Sequence, residues 1–288
     1  MAPPLPTFII AGATRSGTSS LHAYLSAHPE IFMSRTKEVR FFAKDALYAR
    51  GLPYYRRYFK GHRGEPAVGE ATPMYMHTGL LYGADGVRCY YPNDSAIQRI
   101  RESLGKVKLI LTLRDPVKRA FSIYWKNYLL GKSDFQLYLL DIIRQYEEFG
   151  DDSADLVYFN RYAVHLDHIL AVMPPENVKI LIFEEWTREV TGTVSELAAF
   201  LGVDSARVPP MDGRVHNAGA RYRVQRWMPG AGWLGRAAER ALGQRRHAHA
   251  PPDPAAEARL RHILAPDVAH VERVLGRRIP AWHPEEAA

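Results

Sequence analysis

Three runs of apolar residues stand out from an otherwise amphipathic chain: Thr7–Ala11, Lys108–Leu113 and Val178–Phe183. None alternates regularly between apolar and polar positions, so each predicts a strand buried on both faces, as in a parallel sheet. Helical periodicities lie between and after them. Thr18–His28 sets Leu21, Tyr24 and Leu25 on one face, with Pro29 beyond its end. Asp115-Pro116 opens a helix through Tyr128, Asp suiting the cap and Pro the first turn. Tyr158–Met173 has helical spacing and stops at Pro174-Pro175, and Glu189–Leu201 is closed by Gly202. A last helix over Ala255–Leu275 is expected to be interrupted or kinked at Pro266.

Strands alternating with helices predict an α/β fold with a central, mainly parallel sheet. The 288 residues read as a single domain, 1–288, with loop insertions around 79–95 and 209–254, where Gly, Pro and polar residues dominate. Loops of such length are often functional. Apolar residues make up 47% and charged residues 24%, which excludes wholesale disorder and collagen-like repeats. The apolar runs fall far short of the roughly 20 residues that span a bilayer. Met1–Pro6 has neither the basic start nor the apolar stretch of a signal peptide. A single cysteine, Cys89, excludes an internal disulfide framework and a multi-cysteine metal cluster. A reducing, cytoplasmic location without a transmembrane segment is expected.

The formal net charge is +7, and it is concentrated. Between Arg207 and Arg278 stand 14 arginines against 6 acids, so the rest of the chain is close to neutral. Such an excess suits an anionic partner, and a solvated arginine face is the plainer reading.

Two segments carry candidate chemistry. The first is Gly12-Ala13-Thr14-Arg15-Ser16-Gly17-Thr18-Ser19, set between a strand and a helix. Glycines let successive backbone N–H groups point inward, and the helix N-terminus adds partial positive charge. Ser16, Thr18 and Ser19 add hydroxyls and Arg15 a charged fork, so the loop can cradle a phosphate. This implies a three-layer α/β/α, P-loop-like arrangement. A nucleotide-hydrolysing loop would put Lys after the last glycine. Here Thr18 follows Gly17 and the charge sits earlier, at Arg15. The second segment is Arg114-Asp115-Pro116-Val117-Lys118-Arg119-Ala120-Phe121-Ser122. Arg114 ends a strand, where open parallel sheets bind ligands, and Ser122 lies about two helical turns later. A guanidinium and a hydroxyl so placed suit a dianionic phosphate.

Together these segments resemble the sulfotransferases that use 3′-phosphoadenosine 5′-phosphosulfate (PAPS), most of all the carbohydrate branch that includes heparan sulfate N- and 3-O-sulfotransferases and bacterial relatives. The chain's His28-Pro29-Glu30-Ile31, Lys37-Glu38-Val39-Arg40-Phe41-Phe42, Gly69-Glu70-Ala71-Thr72-Pro73, Phe200-Leu201-Gly202 and Ile279-Pro280-Ala281-Trp282 add to the likeness. The resemblance implies that Arg15, Ser16, Gly17, Thr18 and Ser19 hold the phosphosulfate, that Arg114 and Ser122 hold the 3′-phosphate, and that Arg221 or Arg223 closes over it from a late loop. It makes Glu38 the general base, with Arg15 supplying charge at the leaving phosphate. Arg40, Glu70, Tyr75 and His77 become candidates for contact with a sugar, glycolipid or small-molecule acceptor, Glu70 serving alternatively as a second base or a partner of Arg15 or Arg40. No metal is implied. The chain departs from the branch in three places: Arg15 stands for the usual Lys, Arg40 for a His, and Ala71 for a Lys. Arginine supplies charge but not a transferable proton.

Two other functions fit parts of the pattern. A P-loop kinase or other NTP-dependent phosphotransferase shares the strand–loop–helix but needs the missing Lys and magnesium. A non-catalytic polyanion-binding protein would use the Arg207–Arg278 region. No helix-turn-helix or RNA-binding signature accompanies that region.

Overall fold

The computed structural model describes residues 3–77, 79–82, 88–91, 96–129, 143, 155–211 and 254–284. Their elements, in chain order, are β1 (Phe8–Gly12), α1 (Thr18–Ser26), β2 (Ile31–Met33), α2 (Asp45–Tyr48), α3 (Gly51–Tyr55), β3 (Ala67–Ala71), β4 (Gly79–Tyr82), β5 (Arg88–Tyr91) and α4 (Ala96–Leu104). There follow β6 (Lys108–Leu113), α5 (Pro116–Leu129), α6 (Asp155–Tyr158), α7 (Tyr162–Val172), β7 (Val178–Ile182), α8 (Phe183–Trp186), α9 (Val190–Leu201) and α10 (Pro254–Leu275). Among the described residues, those through Asp115, from Tyr162 to Met211 and from His270 onward form one compact unit. Those from Pro116 to Arg161 and from Pro254 to Ala269 form a second.

The first unit is built on a five-stranded sheet of order β2-β3-β1-β6-β7, parallel throughout, with flanking helices. This is the α/β fold with a parallel sheet that the apolar runs predict. Every residue of β1 is buried, as expected for a strand covered on both faces. Beside it, Phe8 registers with Gly69 of β3 and with Lys108 of β6. Gly69 is required there, because a methyl group at that position would run into the Phe8 ring. One core cluster gathers Phe8, Ile10, Leu21, Leu25, Ile110, Trp186 and Leu197 from the sheet, α1, α8 and α9. In α9 the Glu189 side chain accepts from the Gly192 amide at 2.9 Å, and Gly202 ends the helix in the left-handed region.

The second unit has its own core of Val117, Ala120, Ile143, Val157, Ala256, Leu260 and Leu264. No helix among the described residues is long and apolar enough to cross a membrane.

Four expectations change in detail. The short strands β2 and β3 escape the apolar-run criterion: β2 has three residues, and β3 carries Gly69 and Glu70. The segment from 79 to 91, read as loop, holds an antiparallel pairing of β4 with β5, in register from Gly79 with Tyr91 to Tyr82 with Arg88. The helix expected over 158–173 is two helices broken at Phe159–Arg161. Arg119, fully buried, donates there to the Phe159 carbonyl, a backbone acceptor a continuous helix would use itself, and at 2.9 Å to Asn160 Oδ1. Pro266 lies inside α10 without ending it. Leu260 and Leu264 before it and Val271 after it are buried, so packing on both sides offsets the one lost backbone bond.

Candidate active site

The connection leaving β1 turns one way to β2 and β3, and the chain returns on the other side as β6. The carboxyl ends of β1 and β6 therefore flank a topological switch point, where open α/β sheets bind ligands. The loop from Gly12 to Gly17 sits there. Ala13 N–H donates to the Thr112 carbonyl at 2.8 Å, anchoring the loop to β6. Thr112 Oγ1 donates to the Ser16 carbonyl at 2.8 Å and accepts from Trp186 Nε1 at 2.7 Å. Gly17 adopts φ +83°, and a Cβ there would lie 2.5 Å from the Trp186 ring. Both facts require glycine: the backbone is left-handed, and the indole occupies the space.

The loop leaves polar groups for a ligand. Helix α1 has no side-chain cap and no acid in its first turn, so its first amides keep their positive end uncompensated. Ser16 is fully buried, and its Oγ has no hydrogen-bond partner. A buried hydroxyl without a partner is costly, and an anionic oxygen at the loop would satisfy it. Arg114 reaches the same loop, its Nη1 donating to the Arg15 carbonyl at 3.3 Å. Its guanidinium stacks on Phe183, 5.0 Å from the ring centre, with Glu184 Oε1 4.0 Å from Nε. Tyr162 brackets the Arg114 backbone, accepting from its N–H at 3.2 Å and donating to its carbonyl at 2.9 Å.

Glu38 stands on a turn tied to the carboxyl end of β3. Its amide donates to the Ala71 carbonyl at 2.8 Å, and the Arg40 amide donates to Thr72 Oγ1 at 3.2 Å. Thr72 N–H in turn donates to Ile10 of β1 at 3.1 Å. The turn and the Gly12–Gly17 loop thus hang from adjacent strand ends. The Glu38 carboxylate is 39% exposed, paired with Arg40 and lying 3.6 Å from Lys37 Nζ. Among the described residues, the non-glycine positions with positive φ are Arg15 (69°), Glu38 (59°) and Arg40 (58°). Such conformations cost of order 1–3 kcal/mol and persist where the surroundings impose them, typically at ligand sites.

Glu70 and Tyr75, expected to meet an acceptor, are corrected by their burial: both side chains are fully enclosed. The Glu70 carboxylate accepts from Tyr55 at 2.7 Å, Thr72 at 2.6 Å and Tyr75 at 3.1 Å, and contacts neither Arg15 nor Arg40. Burial raises its pKa, against the pull of these three hydroxyls. Burial, then the Glu70 charge, pushes Tyr55 and Tyr75 well above the ordinary tyrosine range, so both stay neutral donors. Through Thr72, this network supports the turn that carries Glu38. His77 is partly buried and pairs with His165, Nδ1 to Nε2 at 3.4 Å. Ser122 lies in the second unit, on α5. Arg221 and Arg223 lie outside the described residues. Thr112, Phe183, Glu184 and Trp186 are site-building residues without a sequence signal of their own, since each acts on a segment about 70 or more positions away.

A parallel sheet with a glycine-bearing loop and an uncapped helix N-terminus at its switch point defines an α/β domain of the kind that binds ligands at that edge. The particular family follows from comparison. The chain matches the Sulfotransferase domain family over residues 5–217 and belongs to it. It is 35% identical over 123 residues to membrane-associated sulfotransferase kil1 of Dictyostelium discoideum, covering 42% of this chain and 22% of that protein. It is 28% identical over 200 residues to heparan sulfate glucosamine 3-O-sulfotransferase 3B1 of Homo sapiens, covering 69% and 46%. It is 26% identical over 216 residues to the bifunctional heparan sulfate N-deacetylase/N-sulfotransferase of Drosophila melanogaster, covering 69% and 20%. The alignments thus span from about a fifth to just under half of these relatives' lengths. A crystal structure of a sulfotransferase from Alicyclobacillus acidocaldarius superposes with a TM-score of 0.68 at 28% identity, over 97% of this chain and 99% of that one.

Proposed function

We propose that this chain transfers the sulfuryl group of PAPS to a hydroxyl or amine of a sugar, glycolipid or small-molecule natural product, with Glu38 as the general base. Bound PAPS supplies the sulfuryl group and a phosphate leaving group. The acceptor's oxygen or nitrogen forms a bond to sulfur, and the bond from sulfur to the bridging oxygen breaks. The acceptor's proton passes to the Glu38 carboxylate. Arg15, the loop amides and the hydroxyls of Ser16, Thr18 and Ser19 meet the negative charge that collects on the departing phosphate. The products are the sulfated acceptor and 3′-phosphoadenosine 5′-phosphate. The pairing of Arg114 with Ser122 for the 3′-phosphate, and the closing role of Arg221 or Arg223, rest on the sequence motifs alone. Comparison with the heparan sulfate enzymes supports a carbohydrate-like acceptor.

The observation that carries this reading is the imposed left-handed backbone at Arg15 and Glu38, a cation and a carboxylate on turns fixed to neighbouring strand ends. The test is thermal unfolding with 3′-phosphoadenosine 5′-phosphate, with and without EDTA, against magnesium ATP. At 100 times its dissociation constant the nucleotide should add about 2.7 kcal/mol, or roughly 5–10 °C. A shift unaffected by EDTA and specific to the 3′-phosphorylated nucleotide supports the proposal. A shift with magnesium ATP alone would replace it with a phosphotransferase.

A further inference from the structure

We infer that a basic cleft beside Glu38 binds an anionic group carried by the acceptor. The inference rests on the sulfuryl-transfer reading and extends it to the class of acceptor. The cleft has a volume of about 410 Å³ and is lined by Arg35, Thr36, Tyr54, Arg57, Tyr58 and Lys60. That size suits a small ligand rather than a lone ion or water.

Its construction follows from the local sequence. Helix α3 and the 3-10 turn Arg56–Phe59 bury Tyr55 and Phe59, one helical turn apart, in the aromatic core. Tyr54, Arg57 and Tyr58 are left on the other side. The Arg50 guanidinium lies 3.6 Å from the Tyr54 ring centre and that of Arg57 5.4 Å from it. Stacking of this kind holds guanidinium groups in place before any ligand arrives. The Tyr54 and Tyr58 hydroxyls are 3.3 Å apart. Arg35 reaches across from the loop before Glu38, its Nη2 3.7 Å from where a side chain on Gly61 would begin.

The charge pattern points to the ligand. Among the described residues, no carboxylate lines the cleft. Among the described residues, Arg35, Arg50, Arg57 and Lys60 make no ion pair. By contrast, Arg207 pairs with Glu30 at 2.6 Å, Arg277 with Glu185 at 2.5 Å and Arg99 with Asp45 at 2.7 Å. The three unmatched cations that line the cleft, Arg35, Arg57 and Lys60, repel one another, and an anion relieves that repulsion. Thr36, on the cleft wall, is two residues from Glu38, so their Cα atoms are within about 7.6 Å of each other. An acceptor whose reacting group meets Glu38 would therefore bring a neighbouring carboxylate, phosphate or sulfate into the cleft.

The probes are methyl β-glucoside, methyl β-glucuronide and methyl β-glucoside 6-sulfate, which share a ring and differ in charge. Their binding would be measured by saturation-transfer NMR on the wild-type protein and on an Arg57→Gln/Lys60→Gln double variant, both positions being exposed. At least one anionic probe should bind the wild type about tenfold more tightly than the neutral one, and the advantage should shrink with salt and vanish in the double variant. Which anion gains most separates a uronate from a sulfated source. Equal binding of all three probes, or an advantage that survives the double variant, overturns the inference. Binding of 3′-phosphoadenosine 5′-phosphate, measured in parallel, should be the same for both proteins. Its absence from both would remove the sulfuryl-transfer reading, and with it the claim that the cleft's ligand is an acceptor.

Discussion

At the scale of single residues, the candidate site has three side chains on backbone that ordinarily belongs to glycine. Glu38 is held by the Ala71 carbonyl of β3, Arg40 by Thr72 just beyond it and Arg15 by Arg114 just beyond β6, so the strain is carried by groups anchored at the sheet. Glu38→Gln keeps the shape and removes the base. It should lower turnover about 10²–10⁴-fold while leaving the thermal shift with 3′-phosphoadenosine 5′-phosphate intact. Retained turnover would transfer the base role elsewhere. Gly17→Ala acts on the loop itself. It faces a left-handed φ of +83° and the Trp186 ring at 2.5 Å. The backbone alone should cost on the order of 1–3 kcal/mol, and the nucleotide shift should disappear; chemical denaturation and thermal melts check both. Arg15 and Glu38 stand out as candidates in the sequence because each sits in a contiguous motif. Glu70 was misjudged as an acceptor contact because its partners Tyr55 and Tyr75 reach it from separate elements, and burial is not written in local spacing.

At the scale of elements, Thr112 joins three of them: β6, the phosphate loop and α8. Thr112→Val preserves its volume but leaves the Ser16 carbonyl and the Trp186 N–H without partners in a buried position. Each orphaned group costs about 1–3 kcal/mol, so urea denaturation should show a loss of that order, with Thr112→Ser recovering part of it. Wild-type stability in the valine variant would mean the loop is held by the Ala13 amide alone. The same scale explains which elements the pattern revealed. β1 is buried along its whole length and β6 along all but its first residue, and both read as apolar runs, as does β7 at the sheet edge. β3 is equally central, yet it admits Gly69 to seat Phe8 and Glu70 to hold three hydroxyls, and both interrupt its apolar run. The break between α6 and α7 depends on Arg119, about forty residues earlier, which no periodicity within the segment could reveal.

At the scale of the whole molecule, charge is the quantity the composition made prominent. Within the arginine-rich stretch, Arg207, Arg261 and Arg277 pair with Glu30, Glu257 and Glu185, so those positions do not form a bare polyanion surface; residues 212–253 lie outside the described ones. Acid stability joins opposing contributions. The Glu30 pKa is lowered, first by the Asp204 amide and then by Arg207. Its contribution to folding is present above the ordinary carboxylate range and is lost as pH falls through the lowered value. The raised pKa of Glu70 works the other way: its contribution is full below the ordinary range and is lost as pH rises through the folded value. Melts of Glu70→Gln and wild type at about pH 4 and about pH 8 should therefore differ in a set direction, the variant gaining on the wild type as pH rises. A difference that does not vary with pH would mean that Glu70 titrates alike in the folded and unfolded chains.

The sequence by itself determined the class of fold and marked the glycine-bearing loop and the Glu38 carboxylate as candidates, because continuous apolar runs, glycine-bearing turns and local caps are properties of neighbouring residues. The tertiary structure decided what surrounds them. Phe183, Glu184 and Trp186 close on Arg114 and the loop, Tyr55 and Tyr75 enclose Glu70, and Arg35 meets Arg57 and Lys60 across the cleft. Each of these meetings joins separate elements of the fold. They arise when a twisted parallel sheet brings its carboxyl ends to one edge, and burial then decides which polar groups are partners and which stay open to a ligand.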